Sequence, residues 1–487
     1  MDPNLRETHS AVVAMVGDRA YKVKKPVRLP FLDFSTVEAR RAVAAREVAL
    51  NRRLAPDVYL GVGAWRAPDA PPDAEPEPVV VMRRMPDDRR LATLVTGGRA
   101  STDELEAVTR AIARTVAAFH ARADRSPEID AAGHPDRVAT RFLTDVGEAH
   151  DVAAGALDHA VIETVDRLGR AYLAGRVPLL EARVRAGSIC DGHGDLLADD
   201  IFCLPDGPRI LDCIEFDDRL RWGDVLADVA FLVMDLERLG APSLGAQLLA
   251  DYAEFGGEHH PASLARFYVA TRALIRAKVT AVRVHQGDRS SAPLAARLLD
   301  LAADNLRRGR VTCTLVGGLP GTGKSTVAHD LGSALDAVVI SSDEVRKELA
   351  GLPHDARAAS AYGTGIYDAA HTDATYAEVV HRAQRLLEQG TSVVLDASWS
   401  RRAHRDAAAE VAEITTSELH ALRCVAPMDV AQERIAQRRR SGTATSDATA
   451  AVAQTMAVTA DPWPEAHDLD TDAPPFVVSA AARRALD

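Results

Sequence analysis

Gly318-Leu319-Pro320-Gly321-Thr322-Gly323-Lys324-Ser325 decides the fold of the second half of this chain. It fits G-x-x-x-x-G-K-[ST] at every fixed position. An apolar run, Thr312 to Val316, precedes it, and a helical pattern, Ser325 to Leu335, follows. A strand, a glycine-rich turn and a helix start in that order make a phosphate cradle. Backbone N–H groups point inward and the helix N-terminus adds partial positive charge. In that setting Lys324 reaches the β- and γ-phosphates of ATP, the Ser325 hydroxyl serves Mg²⁺, and Thr326 belongs to the same cradle.

Working outward, strand-like runs at Ala337–Ser341, Ser392–Asp396 and Leu419–Val425 alternate with helical patterns. That alternation predicts a parallel sheet covered by helices on both faces. Carboxyl ends of parallel strands face the ligand crevice. Asp343, in Ser342-Asp343-Glu344-Val345-Arg346-Lys347, is therefore aimed at the γ-phosphate region, where a carboxylate can accept a proton from an attacking hydroxyl. The same residue would also suit the cap of the following helix. Arg346 and Lys347, one turn on, are placed to bind an anionic substrate or the transferred phosphoryl group. Val393-Val394-Leu395-Asp396 is a buried run ending in a carboxylate, suited to Mg²⁺ through water or to the substrate. The segment Glu433 to Arg440 is either a solvated helix end or a closing lid whose Arg434 or Arg438 meets the nucleotide phosphates.

On GGLPGTGKST, SSDEVRK, VVLDASW and the arginine-rich segment, residues 310–475 resemble the P-loop small-molecule kinases. That group includes the gluconate kinases, polynucleotide kinases, chloramphenicol phosphotransferases and zeta toxins. The resemblance implies that Asp343 is the general base and leaves the acceptor open.

The first half carries a second signal, His193-Gly194-Asp195-Leu196-Leu197-Ala198-Asp199-Asp200. It resembles the H-G-D-L-x-x-x-N loop of aminoglycoside-type phosphotransferases, a relative of the protein-kinase H-R-D-L loop. By that resemblance Asp195 orients or deprotonates the acceptor hydroxyl, and Asp200 fills the metal-binding Asn position. Glu215, in Ile214-Glu215-Phe216-Asp217, falls at the Asp of D-F-G, with Asp217 as its rival for the metal. Asp228 would support the catalytic loop. Upstream, alternation puts Ala20, Lys22 and Lys24 on one strand face. Lys22 fits the nucleotide-binding strand lysine, with Lys24 the alternative, and Glu47 fits the helix glutamate that pairs with it. Val79 to Met85 would border the adenine. No G-x-G-x-x-G precedes Lys22; only Glu7-Thr8-His9-Ser10 is available to cover phosphates, and no full first strand is expected ahead of it. A hairpin of Ile201–Leu204 and Arg209–Phe216 is expected, turned by Pro205-Asp206-Gly207-Pro208.

The 487 residues suggest two to four domains, and the polar run Asn305 to Arg310 divides them into 1–308 and 309–487. With 47% hydrophobic residues, real cores can form, and a net charge of −12 disfavours nucleic-acid and membrane-surface partners. No apolar run reaches the roughly 18 residues of a membrane span. MDPNLRETHS lacks the basic and apolar regions of a signal peptide. Five cysteines, 190, 203, 213, 313 and 424, show no C-x-x-C spacing and read as small buried hydrophobes in a reducing, cytoplasmic setting. Asp69 to Pro78 reads as a hairpin tip, and Ser441 to Ala453 as a loop running into a helix.

The whole chain resembles bacterial two-domain proteins that join an aminoglycoside-phosphotransferase-like domain to a P-loop, AAA-family ATP-binding domain. This implies a protein-kinase-like two-lobed α+β domain followed by an α/β domain with a parallel sheet between helices. The expected activity is ATP- and Mg²⁺-dependent transfer to a hydroxyl of a small metabolite, with two potential nucleotide sites. Three alternatives stay open: a regulatory pseudokinase or binding module in the first half, an ATPase switch in the second, or a polynucleotide 5′-hydroxyl kinase. An aminoglycoside is a polycation and needs an acidic pocket; none is identifiable in the sequence.

Overall fold

The computed structural model describes residues 4–7, 11–29, 32–66, 71, 75–353, 365–441 and 449–486. Thr8 to Ser10, half of the 69–78 stretch and most of 441–453 lie outside the described residues, as does the side chain of Arg438. Two units emerge. One comprises Met1–Asp166, Leu180–His260 and Ala265–Leu306; the other comprises Arg167–Leu179, Pro261–Leu264 and Arg307–Asp487.

In the first unit the alternation around Lys22 forms a strand. β1 (Asn4–Glu7), β2 (Ala11–Val16), β3 (Arg19–Lys24), β4 (Tyr59–Trp65) and β5 (Glu77–Arg83) make one antiparallel sheet in the order β1-β2-β3-β5-β4. Two strands therefore precede the Lys22 strand, correcting the expectation of a shortened sheet. Short as it is, β1 pairs Asn4 to Glu7 with Met15 to Val12. Helix α1 (Val37–Asn51) starts at Thr36, whose hydroxyl accepts from the Ala39 N–H at 3.2 Å. It lays Ala44 and Val48 on Ala20, Val80 and Met82 of the sheet.

The remainder of this unit is mainly helical. Its helices include α2 (Thr102–Arg122), α3 (Pro135–Asp151), α4 (Val225–Arg238) and α5 (Ala262–His285). Nearly every residue of α4 is buried. The expected hairpin forms as β6 (Ile201–Leu204) and β7 (Gly207–Ile210), so its second strand is much shorter than Arg209–Phe216. The reason is competition for backbone donors. Leu211 N–H still bonds the Asp200 carbonyl across the hairpin, but Ile214 N–H bonds the His193 carbonyl. Cys213 N–H bonds Asn51 Oδ1 at 2.9 Å. Asp212 turns the chain with φ of 64°.

The second unit is built on β8 (Thr312–Gly317), β9 (Val338–Ser341), β10 (Val393–Asp396), β11 (Glu418–Val425) and β12 (His467–Asp470). They form a parallel sheet in the order β9-β10-β8-β11-β12. Val316, Val394, Leu422 and Leu469 pack with Val327 and Leu331 of helix α6 (Lys324–Leu335). The order places β8 between β10 and β11, so the P-loop emerges at the sheet centre. β9, beyond β10, leads into helix α7 (Ser342–Leu349). All five cysteines are buried and unpaired.

Candidate active sites

The P-loop follows β8 directly. Gly318, Gly321 and Gly323 take φ of 137°, 87° and 87°, conformations open to glycine and costly for other residues. Space demands glycine too. A Cβ on Gly318 would meet the Cys424 carbonyl at 2.6 Å, and one on Gly321 would strike the Ala431 carbonyl. Thr322 Oγ1 donates to the Leu319 carbonyl at 2.8 Å and locks the turn. Leu319 and Pro320 complete the loop, and Lys324 opens α6. A cavity of about 330 Å³ is lined by Gly321, Gly323, Lys324, Ser325, Thr326 and Arg434. Arg434 rises from helix α8 (Met428–Ser441) and donates to the Thr471 carbonyl at 2.9 Å.

Parallel register brings three strand ends together. Val316 of β8 and Ser341 of β9 both lie opposite Asp396 of β10. Asp396 is 4% exposed, and its Oδ1 has no hydrogen-bond partner among the described residues. Burial raises its carboxyl, offset in part by the Lys324 charge and a hydrogen bond with Ser325, while Asp343 opposes them. Ser341, not Asp343, occupies the N-cap position of α7, so Asp343 is not spent on capping. Its carboxylate has no hydrogen-bond or ion-pair partner among the described residues. Arg346 is buried, donating to the Ile366 carbonyl at 3.0 Å and to Thr372 Oγ1 at 3.2 Å, with Nε unpartnered. Lys347 is 2% exposed.

The sequence reading missed the support beneath Asp396. Trp399, 1% exposed, sits at φ of 51°. Its indole N–H donates to the Leu395 carbonyl at 3.1 Å, and its backbone N–H to the Tyr376 hydroxyl at 3.2 Å. An indole stapled to Leu395 fixes the strand end that presents Asp396.

In the first unit the face carrying Lys22 and Lys24 meets Glu47, which is fully buried. Lys22 Nζ lies 2.8 Å from one carboxylate oxygen and Lys24 Nζ 2.7 Å from the other. The two candidate lysines thus share one glutamate. Burial works to raise the Glu47 carboxyl, yet the two ammonium groups hold it below its usual value. Lys22 also pairs with Asp212 at 2.7 Å, and Lys24 pairs with Glu215.

Asp228 holds the loop that carries His193, Gly194 and Asp195. Its carboxylate accepts from the N–H groups of His193 at 2.7 Å and Gly194 at 2.8 Å, and bonds His120 Nε2 at 3.0 Å. Asp195 follows, and Asp200 lies close enough to feel it. Burial, then Asp212 and Asp195, drive the Asp200 carboxyl well above its usual range. Asp212 is held down by the Lys22 charge beside it. The structure therefore groups Asp195, Asp200 and Asp212, and Asp212 was not singled out from sequence. Asp217 stays apart, capping a short turn and pairing with Arg219 at 3.1 Å. Among the described residues no three His, Cys, Asp or Glu side chains form a metal cage. Paired acids of this kind suit Mg²⁺ shared with nucleotide phosphates.

Two family models match the two halves: the phosphotransferase enzyme family over residues 17–267, and an AAA domain over 313–463. The first covers more than half of the chain. The chain belongs to the phosphotransferase enzyme family. This phosphotransferase is 41% identical over 471 residues to proteins of Mycobacterium tuberculosis and Mycobacterium bovis, spanning 97% of this chain and 93% of each relative. Both relatives are described only as uncharacterized. Among solved structures it is similar to a choline/ethanolamine kinase family protein from Mesorhizobium loti, at 16% identity and TM-score 0.38, covering 63% of this chain and 92% of that one. It is also similar to a sugar kinase from Janibacter, at 18% identity and TM-score 0.28, covering 36% and 95%. No described helix is long and apolar enough to cross a membrane.

Proposed function

We propose that this phosphotransferase moves the γ-phosphoryl group of ATP to a hydroxyl of a small metabolite, with Mg²⁺, and that residues 1–308 and 309–487 each provide a nucleotide site. The observation that carries the reading is Asp396: a buried carboxylate beside Lys324, bonded by Ser325, with one oxygen unpartnered. A buried acid left open in a phosphate cradle suits a cation. Ser325 and Asp396 would hold Mg²⁺, which neutralises charge on the phosphates. Lys324 and the loop N–H groups bind the β- and γ-phosphates. Asp343 takes the proton of the acceptor hydroxyl as its oxygen bonds to phosphorus and the bond from the γ-phosphorus to the bridging oxygen breaks, releasing ADP. Arg434 lies where it can meet the phosphates, and Arg346 and Lys347 serve the substrate side.

In the first half Lys22, held by Glu47, would bind the nucleotide, Asp200 and Asp212 would hold Mg²⁺, and Asp195 would serve the acceptor. A second reading, nucleotide binding there without turnover, draws on Glu215 being engaged by Lys24 rather than open to a metal.

The test is ADP release against a panel of sugars, sugar acids and RNA ends, in wild type, Lys324→Ala, Asp343→Asn and Asp195→Ala. Loss of acceptor-dependent transfer by at least about 100-fold in Lys324→Ala and Asp343→Asn is expected for P-loop acceptors. Hydrolysis that needs Lys324 but responds to no acceptor would replace this reading with the ATPase switch.

A further inference from the structure

Arg272 and Arg276 act on Asp195 and Arg141 acts on Arg272, and no role described so far uses these three guanidinium groups. Arg272 and Arg276 lie one turn apart on α5, and Arg141 lies on α3. The two helices are tied by Lys278 Nζ, 2.6 Å from Asp145 Oδ1, one turn beyond Arg141. Arg272 Nε donates at 3.0 Å to the carbonyl of Ala227, the residue before Asp228. Asp228 is the group that grips His193 and Gly194, so Arg272 is fastened to the element that positions Asp195. Its guanidinium lies 4.8 Å over the Phe231 ring. Arg141 donates to the Arg219 carbonyl at 2.6 Å, which brings it to the segment that follows Glu215.

None of the three forms an ion pair among the described residues, although this chain carries a net charge of −12. Apart from Asp195 itself, the acids within their reach are committed elsewhere. Asp145 is held by Lys278, Asp217 by Arg219, and Asp228 by His120 and the loop N–H groups. Burial lowers Arg272, and the neighbouring Arg141 charge lowers it further. Arg276 is the foremost charge acting on Asp195. Unpaired, part-buried guanidinium groups repel one another until an anion joins them.

We propose that the acceptor at Asp195 is an anion: a small hydroxylated molecule carrying a phosphate or carboxylate group, held by Arg141, Arg272 and Arg276. This rests on the reading of the first half as a nucleotide site and names its substrate class. A polycation or a quaternary amine would meet three like charges there. Arginine forks match phosphate and carboxylate oxygens in pairs, which fixes the acceptor and leaves a hydroxyl for Asp195. That hydroxyl gives its proton to Asp195, its oxygen bonds the γ-phosphorus, and ADP leaves. The arginines make and break no covalent bond.

The experiment uses the full chain bearing Lys324→Ala, so that transfer at the P-loop is silenced. Glucose is compared with glucose 6-phosphate, and glycerol with glycerol 3-phosphate and glycerate, with kanamycin as the cation. Binding is read by calorimetry with Mg·ADP present, with inorganic phosphate as a competitor, and ADP release is read with Mg·ATP. The anionic member of each set is expected to bind at least tenfold tighter than its neutral partner. Arg276→Gln, and independently Arg141→Gln, should weaken that binding by about tenfold or more, with Arg276→Lys restoring part of it. Melting curves identify any variant that fails to fold. Equal binding of neutral and anionic members, no charge-selective binding in any set, or acceptance of kanamycin would overturn the proposal. Asp195-dependent transfer to a neutral acceptor would leave the function standing and sink this inference. Arginine-dependent anion binding with no transfer would do the reverse.

Discussion

As the proposed base, Asp195 would set the pH response of the first site. Burial raises its carboxyl to about 6, Arg276 and Arg272 pull it down, and Asp212 and Asp235 push it up. A base must be ionised to accept a proton, so transfer there should be full above pH about 6 and fall as the pH drops through that value. Arg276→Gln removes the largest charge that favours the ionised form, so the midpoint should move upward. A pH profile of kcat in the Lys324→Ala background reads both, and a midpoint indifferent to Arg276 would refute the assignment. Glu47 makes a stability prediction. It is fully buried between two ammonium groups, so Glu47→Gln leaves two cations without their shared partner. The loss should be about 3–5 kcal/mol in urea unfolding. The pairing was legible in outline, because period-two alternation puts Lys22 and Lys24 on one face whichever of them acts. Asp212 was not legible. Its place beside Lys22 depends on a left-handed turn and on an α1 side chain 162 positions away from Cys213, and neither leaves a local pattern.

At the scale of elements, the P-loop is the piece whose sequence and geometry agree most closely. Its glycines are required twice over, by φ and by contact. Gly321→Ala would put a methyl against the Ala431 carbonyl on α8 in a conformation alanine resists. Mg·ATP binding at that site should weaken by at least about 100-fold, read by calorimetry, with the sheet still folded. Gly257→Ala offers the comparison: φ is 61° but nothing lies within 4 Å of the new methyl, so only about 1 kcal/mol of stability and no nucleotide binding should be lost. Equal effects from the two would mean that the loop tolerates the methyl. Four of the five parallel strands were legible to within about a residue or two because each is an apolar run bounded by helical pattern, whereas β12, the polar His467–Asp470, was not. The hairpin after the His193–Asp195 loop was legible in its first strand and turn but not in the length of its second strand. Cys213 to Phe216 looks like strand, but the Cys213 and Ile214 donors are taken by Asn51 and His193, so tertiary bonds override the pattern.

At the scale of the whole molecule, each unit has its own sheet, its own core and its own candidate phosphate site. Folding free energy linked to ligand then divides between them. A ligand at 100 times its Kd stabilises the unit that binds it by about 2.7 kcal/mol. For units of this size that is a rise of roughly 5–10 °C in the unit's own midpoint. Calorimetric scans with Mg·ATP should therefore show two transitions, both shifted upward in wild type. Lys324→Ala should cancel the shift of one, and Lys22→Ala the shift of the other. If a single transition responds only to Lys324, the first half does not bind nucleotide, and the second reading of that half falls with the first. If both transitions respond but only Lys324→Ala abolishes transfer, nucleotide bound by Lys22 and Glu47 is not turned over. The acidic pair Asp200 and Asp212 then acts in binding alone, and the closed Lys24–Glu215 pair supplies the physical reason.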